Sequence, residues 1–207
     1  MISVIITSFT DFGDYTTPLI ASMRLMEEKP FELIVIDNGS KDPYPRGDYT
    51  LARFDNPISW SRMLNYGASL AAEDWLCFLN DDVRCFGRFV DIIEDMNKHG
   101  LYGSKLKTKP PTWQNMGIEI KYIPAWMLVI QKSLYNKIGG MDEWYPKAGV
   151  DDIDFCWRAD QLGIPLVEVK FPFAHLAFEK RRRTKWFGFD KQMKKSIDYF
   201  RNKVNTK

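Results

Sequence analysis

The sequence predicts an α/β fold in which a mostly parallel central sheet is flanked by helices. Three observations carry that reading. ISVIITS (Ile2–Ser8), FELIVID (Phe31–Asp37) and WLCFL (Trp75–Leu79) are short apolar runs without polar alternation, the pattern of strands covered on both faces. Segments with helical spacing lie between them, as in strands joined by crossover helices. Each run also ends in polar residues: Thr7 and Ser8, Asp37 and Asn38, Asn80, Asp81 and Asp82. In open parallel sheets, ligands bind beyond the carboxyl ends of the strands.

The elements follow in order. After the first strand, residues 15–28 have helical spacing, with Leu19, Met23 and Met26 on one face. The second strand runs into the turn NGSKD, whose Asn, Gly, Ser and Asp all favour a turn. TLARF (Thr50–Phe54) is a short strand. A helix over 59–72 carries Met63, Leu64 and Ala68, and Phe89–Lys98 is the helix after WLCFL. The second half is less regular. Leu101–Lys107, Gly117–Tyr122 and Ala125–Gln131 read as strands, and Ile138–Gly149 as a loop. Asp151–Leu162 has helical spacing through Phe155, Arg158, Ala159 and Leu162, and Gly163 ends it. IPLVEVKFPF (Ile164–Phe173) is a late strand. A basic helix over 185–204 places Met193, Ile197, Phe200 and Val204 on one stripe.

Bulk properties narrow the classes. At 207 residues the chain can form one substantial domain, and 45% hydrophobic with 27% charged residues is an ordinary globular balance. Aromatic content is 14%, with seven Trp; sugar sites use Trp faces, but so do cores. Net charge is +2, unevenly spread. From Lys180 onward eleven Lys/Arg face only Asp190 and Asp198, about +9, leaving the rest of the chain at about −7. An acidic body argues against a long nucleic-acid footprint. Cys77, Cys85 and Cys156 form no CxxC pair and read as reduced thiols of a cytoplasmic protein. No charged leader precedes the first strand, so no signal peptide is expected. No apolar run approaches the roughly 20 residues of a membrane-spanning helix.

Three constellations could carry chemistry. In FLNDDVR, adjacent Asp81 and Asp82 close a buried strand. Read alone, they fit a turn, since Asn and Asp readily leave a strand, or a site where a hard cation is held by one or two carboxylates plus substrate phosphates. In GVDDIDFCWR, Asp151, Asp152 and Asp154 crowd one helix start. Carboxylates favour that end of the helix dipole, and Asp154 can pair with Arg158 at i,i+4, but three acids exceed what capping needs, and one could serve as a general base. His175, in FPFAHLAFEK, suits a core position or a metal ligand. His99, in NKHG, suits a solvated helix end. The KRRRTK run (Lys180–Lys185) could cover a diphosphate, touch anionic lipid, or stand solvated.

The order of these pieces resembles family-2 glycosyltransferases of the GT-A fold, with a rhamnosyltransferase-like motif set. SVIITSFTDF looks like the family's opening strand and ELIVIDNGSKD like its second strand and turn. NPISWSRMLNYGASLAAEDWLCFLNDDV leads into an Asp-x-Asp-like motif. IGGMDEWY followed by VDDIDFCWRADQLG looks like the acceptor-side loop and Glu-Asp helix, and FPFAHLAFEK like the segment that supplies a metal-binding His. The resemblance implies one glycosyltransferase domain over 1–180, with a nucleotide-binding half (1–100), an acceptor-binding half (101–180) and a basic helical extension (181–207).

The same resemblance implies residue roles. Thr7, Ser8, Asp37 and Asn38, with Asn65 nearby, would bind the nucleotide, and Asp81 the ribose or donor sugar. Asp82 and His175, with Asn80, would hold Mn²⁺ or Mg²⁺. Imidazole suits manganese better than magnesium. Asp152 would be the base, with Asp151 and Asp154 as substitutes, and Trp126, Glu143 and Trp144 would sit on the acceptor side. The implied activity is inverting transfer from a UDP- or dTDP-sugar to a hydroxyl of a glycan, lipid-linked or protein acceptor. This sequence departs from the family's pattern at Asn80, Asn38 and Asp151, where the family often carries acids or a longer acid. The rivals are a sugar nucleotidyltransferase, whose Gly-rich basic loop is missing from TSFTDFGDY, and a non-catalytic sugar- or nucleotide-binding protein. For the basic C-terminal helix three occupants are expected in turn: an anionic membrane surface, which would make the protein peripheral, the body of the domain, or a second subunit of a homodimer.

Overall fold

The computed structural model describes residues 1–8, 12–145, 149–176 and 189–206. Among these the strands are β1 (Ile2–Ser8), β2 (Glu32–Asp37), β3 (Thr50–Arg53), β4 (Trp75–Asn80), β5 (Val83–Cys85), β6 (Leu101–Gly103), β7 (Lys107–Lys109), β8 (Ile120–Tyr122), β9 (Met127–Gln131), β10 (Leu166–Glu168) and β11 (Phe173–His175). The α-helices are α1 (Thr17–Met26), α2 (Trp60–Leu70), α3 (Val90–Glu94), α4 (Lys132–Ile138), α5 (Asp151–Gln161) and α6 (Phe189–Asn205). Seven strands make the central sheet, in the order β10-β6-β9-β4-β1-β2-β3. All its pairings are parallel except those of β9, which runs antiparallel to both β4 and β6. β5 pairs with β11, and β7 with β8, in two small antiparallel ribbons.

The continuous apolar runs have a simple cause. Side chains alternate across a strand, and both faces of this sheet are covered. Ile5, Ile34, Ile36, Leu76 and Phe78 belong to one core, beneath α2, α4 and α5. Val4, Ile6, Leu33, Val35, Cys77 and Leu79 belong to the other, beneath α1 and α3. No polar face remains, so no alternation is visible in the sequence. Ser59 caps α2 by accepting from the Arg62 N–H, and Met63, Leu64, Gly67 and Ala68 are its buried residues. Cys77, Cys85 and Cys156 are free and buried, consistent with the thiol reading.

Four sequence-level assignments change. The 101–107 strand divides: β6 joins the central sheet, while β7 forms its own hairpin with β8. The 164–173 strand also divides, into β10 and β11. Pro172 lies between them, and proline cannot continue the ladder of a central strand. The helix after WLCFL is short, Val90–Glu94, and the Glu27 carboxylate receives its first N–H groups, from Phe89 and Val90. Residues 132–138, unassigned by periodicity, form α4, which ends on Gly139 in the left-handed conformation (φ +90°).

The C-terminal helix belongs to the body. Phe200 and Val204 are buried in the first core, Met193 and Ile197 pack against it, and Trp157 meets the Phe200 ring edge-on at 5.8 Å. The apolar stripe considered for a membrane surface or a second subunit is therefore covered by this chain itself. The Lys180–Lys185 run lies outside the described residues. No helix among the described residues is long and apolar enough to cross a membrane.

One glycine fixes how closely α2 approaches the sheet. A Cβ at Gly67 would lie 2.4 Å from Ile5 Cγ2, and a β-branched side chain in a strand has little freedom to yield. Gly67→Ala is expected to lower stability by about 1–3 kcal/mol through overpacking, against the roughly 1 kcal/mol that helix propensity alone would gain. Urea unfolding of the variant checks the sign.

Candidate active site

The polar strand ends converge along one edge of the sheet. Register puts Thr7 between Ile36 and Asn80, and Ser8 beside Asp37. Asp81 and Asp82 follow β4 through a bend before β5 begins, so their side chains diverge. Asp81 turns inward and accepts a hydrogen bond from the Ser8 hydroxyl, which also contacts the Tyr44 hydroxyl. All three residues are buried. Asp82 turns toward β11, where His175 Nε2 lies 3.2 Å from its Oδ1. The β5–β11 ribbon sets that distance: His175 pairs with Val83, and the Leu176 N–H donates to the Asp82 carbonyl at 2.7 Å.

His175 is also held from its flat side. The Trp126 ring stacks on the imidazole, centroids 5.1 Å apart and planes within 7°. The Trp126 carbonyl accepts from the Asn80 N–H at 3.0 Å, extending the β4–β9 ladder by one step. The preceding residue faces the other acidic cluster, with the Ala125 N–H 3.4 Å from Asp152 Oδ2. Two consecutive residues thus tie Asn80 and His175 to the helix bearing Asp152. Trp126, expected on the acceptor side, stacks on the histidine and orients it.

At the start of α5 the three acids have separate surroundings. Asp151 is buried, accepting from the Gly149 N–H at 2.8 Å and the Ser61 hydroxyl at 3.3 Å. Burial pushes its carboxyl up to about 6 despite those bonds. Asp152 is pushed up to about 7, first by burial and then by the neighbouring Asp151 charge. The two titrate as a pair. Asp154 is different: its oxygens are 2.8 Å from Arg158 Nε and 2.7 Å from Lys203 Nζ. Both oxygens of Asp154, the acid expected as a substitute base, are thus engaged by cations.

The nucleotide-side residues are equally occupied. Asp37 is enclosed, receiving the Ser40 N–H at 2.9 Å and the Arg53 guanidinium. Burial alone would raise its carboxyl, but hydrogen bonds from Ser40 and Arg53 hold it below the ordinary range. Asn38 clamps the 58 region reciprocally, donating to the Ile58 carbonyl at 2.9 Å and accepting its N–H at 2.8 Å. Asn65 holds the 139–143 loop, bonding Met141, Glu143 and Tyr135. It was expected beside the nucleotide. Glu143 is bonded to Asn65 and paired with Arg62 at 3.2 Å. Trp144 stacks on Tyr199. Among the described residues the Asn80 side chain makes no hydrogen bond; its backbone alone anchors it. Sequence reasoning passed over Arg53 and Tyr44. Arg53 had a visible signal, a basic residue ending the strand beside Asp37.

Among the described residues, no three His, Cys, Asp or Glu side chains gather into a ready-made metal site. What is present is a carboxylate from the bend between β4 and β5 and an imidazole from β11, facing each other. That mixed donor set fits a divalent cation whose remaining ligands come from substrate phosphate and water.

Comparison with known proteins gives the family and the fold. The profile of glycosyl transferase family 2 matches residues 3–157. The chain belongs to that family. No curated protein matches the sequence. Among solved structures, the mannosyltransferase PcManGT from Pyrobaculum calidifontis, in complex with GDP-Man and Mn²⁺, is similar at a TM-score of 0.59 and 13% identity, over 81% of this chain and 54% of that one. S. aureus TarS 1-349 with UDP is similar at 0.62 and 14%, over 83% and 59%. GalNAc-T7 with UDP, GalNAc and Mn²⁺ is similar at 0.69 and 12%, over 84% and 43%. At these identities the likeness is one of fold, the GT-A fold, and this glycosyltransferase-family chain spans about half the length of each.

The acidic pair makes a prediction about stability. The folded state keeps protons on Asp151 and Asp152 that the unfolded chain releases near pH 4. Their contribution is therefore full below about pH 4 and is lost as pH rises through about 6 to 7. Asp151→Asn removes one of the two charges. Its melting temperature is expected to fall less than that of the wild type between pH 5 and 8; equal slopes in differential scanning calorimetry would contradict the coupling.

Proposed function

We propose that this protein is an inverting glycosyltransferase that moves a sugar from a nucleoside-diphosphate donor, a UDP- or dTDP-sugar, to a hydroxyl of a glycan, lipid-linked or protein acceptor. One observation carries the reading. The Ala125–Trp126 step joins a carboxylate of raised pKa, Asp152, to the Asp82–His175 pair. A base and a diphosphate anchor are thereby held in one frame. The nucleotide and Mn²⁺ complexes of the structurally similar proteins support the same assignment.

The chemistry follows from the groups. Asp152 takes the proton of the acceptor hydroxyl as its oxygen attacks the anomeric carbon. The bond from that carbon to the diphosphate breaks, and the nucleoside diphosphate departs with the bonding pair. A single displacement of this kind inverts the anomeric configuration, whereas retention by double displacement needs a second, nucleophilic carboxylate. Asp82 and His175 would hold a divalent cation, manganese in preference to magnesium, and that ion supplies neutralisation of the charge developing on the leaving diphosphate. Trp126 keeps the imidazole in plane. Asp81, tied to Ser8, closes the floor of the donor site.

Two measurements test the reading. Nucleoside-diphosphate release is followed across UDP- and dTDP-sugars with Mn²⁺. Asp152→Asn is expected to reduce kcat by about 10²–10⁴-fold, the usual worth of a general base, with donor binding retained. Activity should fall as pH drops through about 7, where the base takes up its proton. A wild type that binds donor yet releases no nucleoside diphosphate with any acceptor would instead be a binding protein. Separately, Trp126→Ala is expected to weaken Mn²⁺ activation about tenfold or more, as loss of an outer-shell partner does, while the far-ultraviolet spectrum stays unchanged.

A further inference from the structure

We propose that Lys203 and Tyr199, on the C-terminal helix, are positioning residues of the acceptor side. They lock the 139–145 loop to the helix that carries Asp152. The inference rests on the glycosyltransferase reading above and extends it to a segment beyond the 3–157 region that the family profile matches.

The argument begins with one ammonium group. Lys203 Nζ lies 2.7 Å from Asp142 Oδ2 and 2.7 Å from Asp154 Oδ1. Asp142 belongs to the loop; Asp154 stands two residues after Asp152 on the first turn of α5. A single cation therefore bridges the loop and the first turn of α5. Tyr199, one helical turn earlier, donates its hydroxyl to the same Asp142 oxygen at 2.9 Å. Arg158 closes the ring from the other side, pairing with Asp154 and donating to the Ile138 and Gly140 carbonyls, each at 2.8 Å. Lys203 is three-quarters buried, and its Asp154 partner is fully enclosed. Such a bridge is screened far less than a surface ion pair, and removing its cation leaves a buried carboxylate short of one partner.

The aromatic rings supply the link to a ligand. Trp144 is 49% exposed, yet its ring lies on Tyr199 at 3.8 Å and 12°. A half-exposed indole backed by a second ring is a flat apolar platform, a surface suited to the C–H face of a sugar. Beside it, Asn65, Met141, Asp142, Glu143, Arg158 and Lys203 line a cavity of about 400 Å³, within the range of small-molecule sites. Its polar walls suit a hydroxyl-rich acceptor. The C-terminal helix thus sets both the tilt of the platform and its register with the base.

The experiment has two arms. Hydrogen–deuterium exchange on the substrate-free protein compares wild type with Lys203→Met. Faster exchange confined to 139–145 and the start of α5, with β1 and β4 unchanged, is expected; no change there overturns the clamp. Steady-state kinetics then use a panel of UDP- and dTDP-sugars with p-nitrophenyl glycosides and Mn²⁺. Lys203→Met and Tyr199→Ala are expected to raise the acceptor KM about tenfold or more, with donor KM within about twofold, as misplacement of a positioning group does. Lys203→Arg, which keeps the charge, should recover most of the loss. Should Lys203→Met fail to fold, Tyr199→Phe removes only one hydroxyl and carries the same test through a smaller rise in acceptor KM. Donor and acceptor KM rising together, an unchanged acceptor KM, or no recovery in Lys203→Arg would each overturn the assignment. A wild type that shows the exchange pattern but turns over no donor would overturn the glycosyltransferase reading itself, and the acceptor role with it.

Discussion

The backbone bond from the Asn80 N–H to the Trp126 carbonyl is the constraint on which the site depends. It is the last rung between β4 and β9, and β9 runs antiparallel to both of its neighbours in a mostly parallel sheet. Because β9 comes in from the opposite direction, the residues that precede it arrive at the carboxyl end of β4. A parallel strand in that place would have delivered its far end instead. The reversal brings Ala125 and Trp126 to the acidic edge, and with them the contacts to Asp152 and His175.

Buried and half-buried carboxylates gather around this edge, and each is tolerated by a different means. Asp37 is held by Arg53, and Asp154 by Arg158 and Lys203. Those acids are neutralised by protein cations. Asp81 is satisfied by a hydroxyl. Asp151 and Asp152 are eased by holding on to protons, because burial and mutual repulsion raise them toward neutrality. Asp82 faces an imidazole. The proposed chemistry falls to Asp82, which faces the His175 imidazole, and to Asp152, which meets the Ala125 N–H. An acid already neutralised by a guanidinium is a poor base and a poor ligand for a further cation.

Much of the fold was legible because its core strands are buried on both faces. Ile2–Ser8, Glu32–Asp37 and Trp75–Asn80 appear as unbroken apolar runs, and helices between them follow the ordinary spacing. The acidic helix start was equally plain. What misled was the second half. Short strands of three residues carry almost no periodicity, so 101–107 and 164–173 read as single elements although each splits. The α4 segment is too short for a helical pattern, and only the Gly139-Gly140 pair after it marks its end.

By itself, the sequence determined the α/β class, the polar residues that end the strands and the acids that open α5, because these depend on local pattern and composition. Motif order was enough to point to the family. The tertiary structure decided which acids are paired with distant cations, Asp37 with Arg53 and Asp154 with Arg158 and Lys203, and it stacked Trp126 on the histidine. It also brought the C-terminal helix onto the body and Lys203 between Asp142 and Asp154. Contacts between residues some 50 or 60 positions apart leave no trace in local spacing. They are set by how helices and strands pack once the sheet has formed.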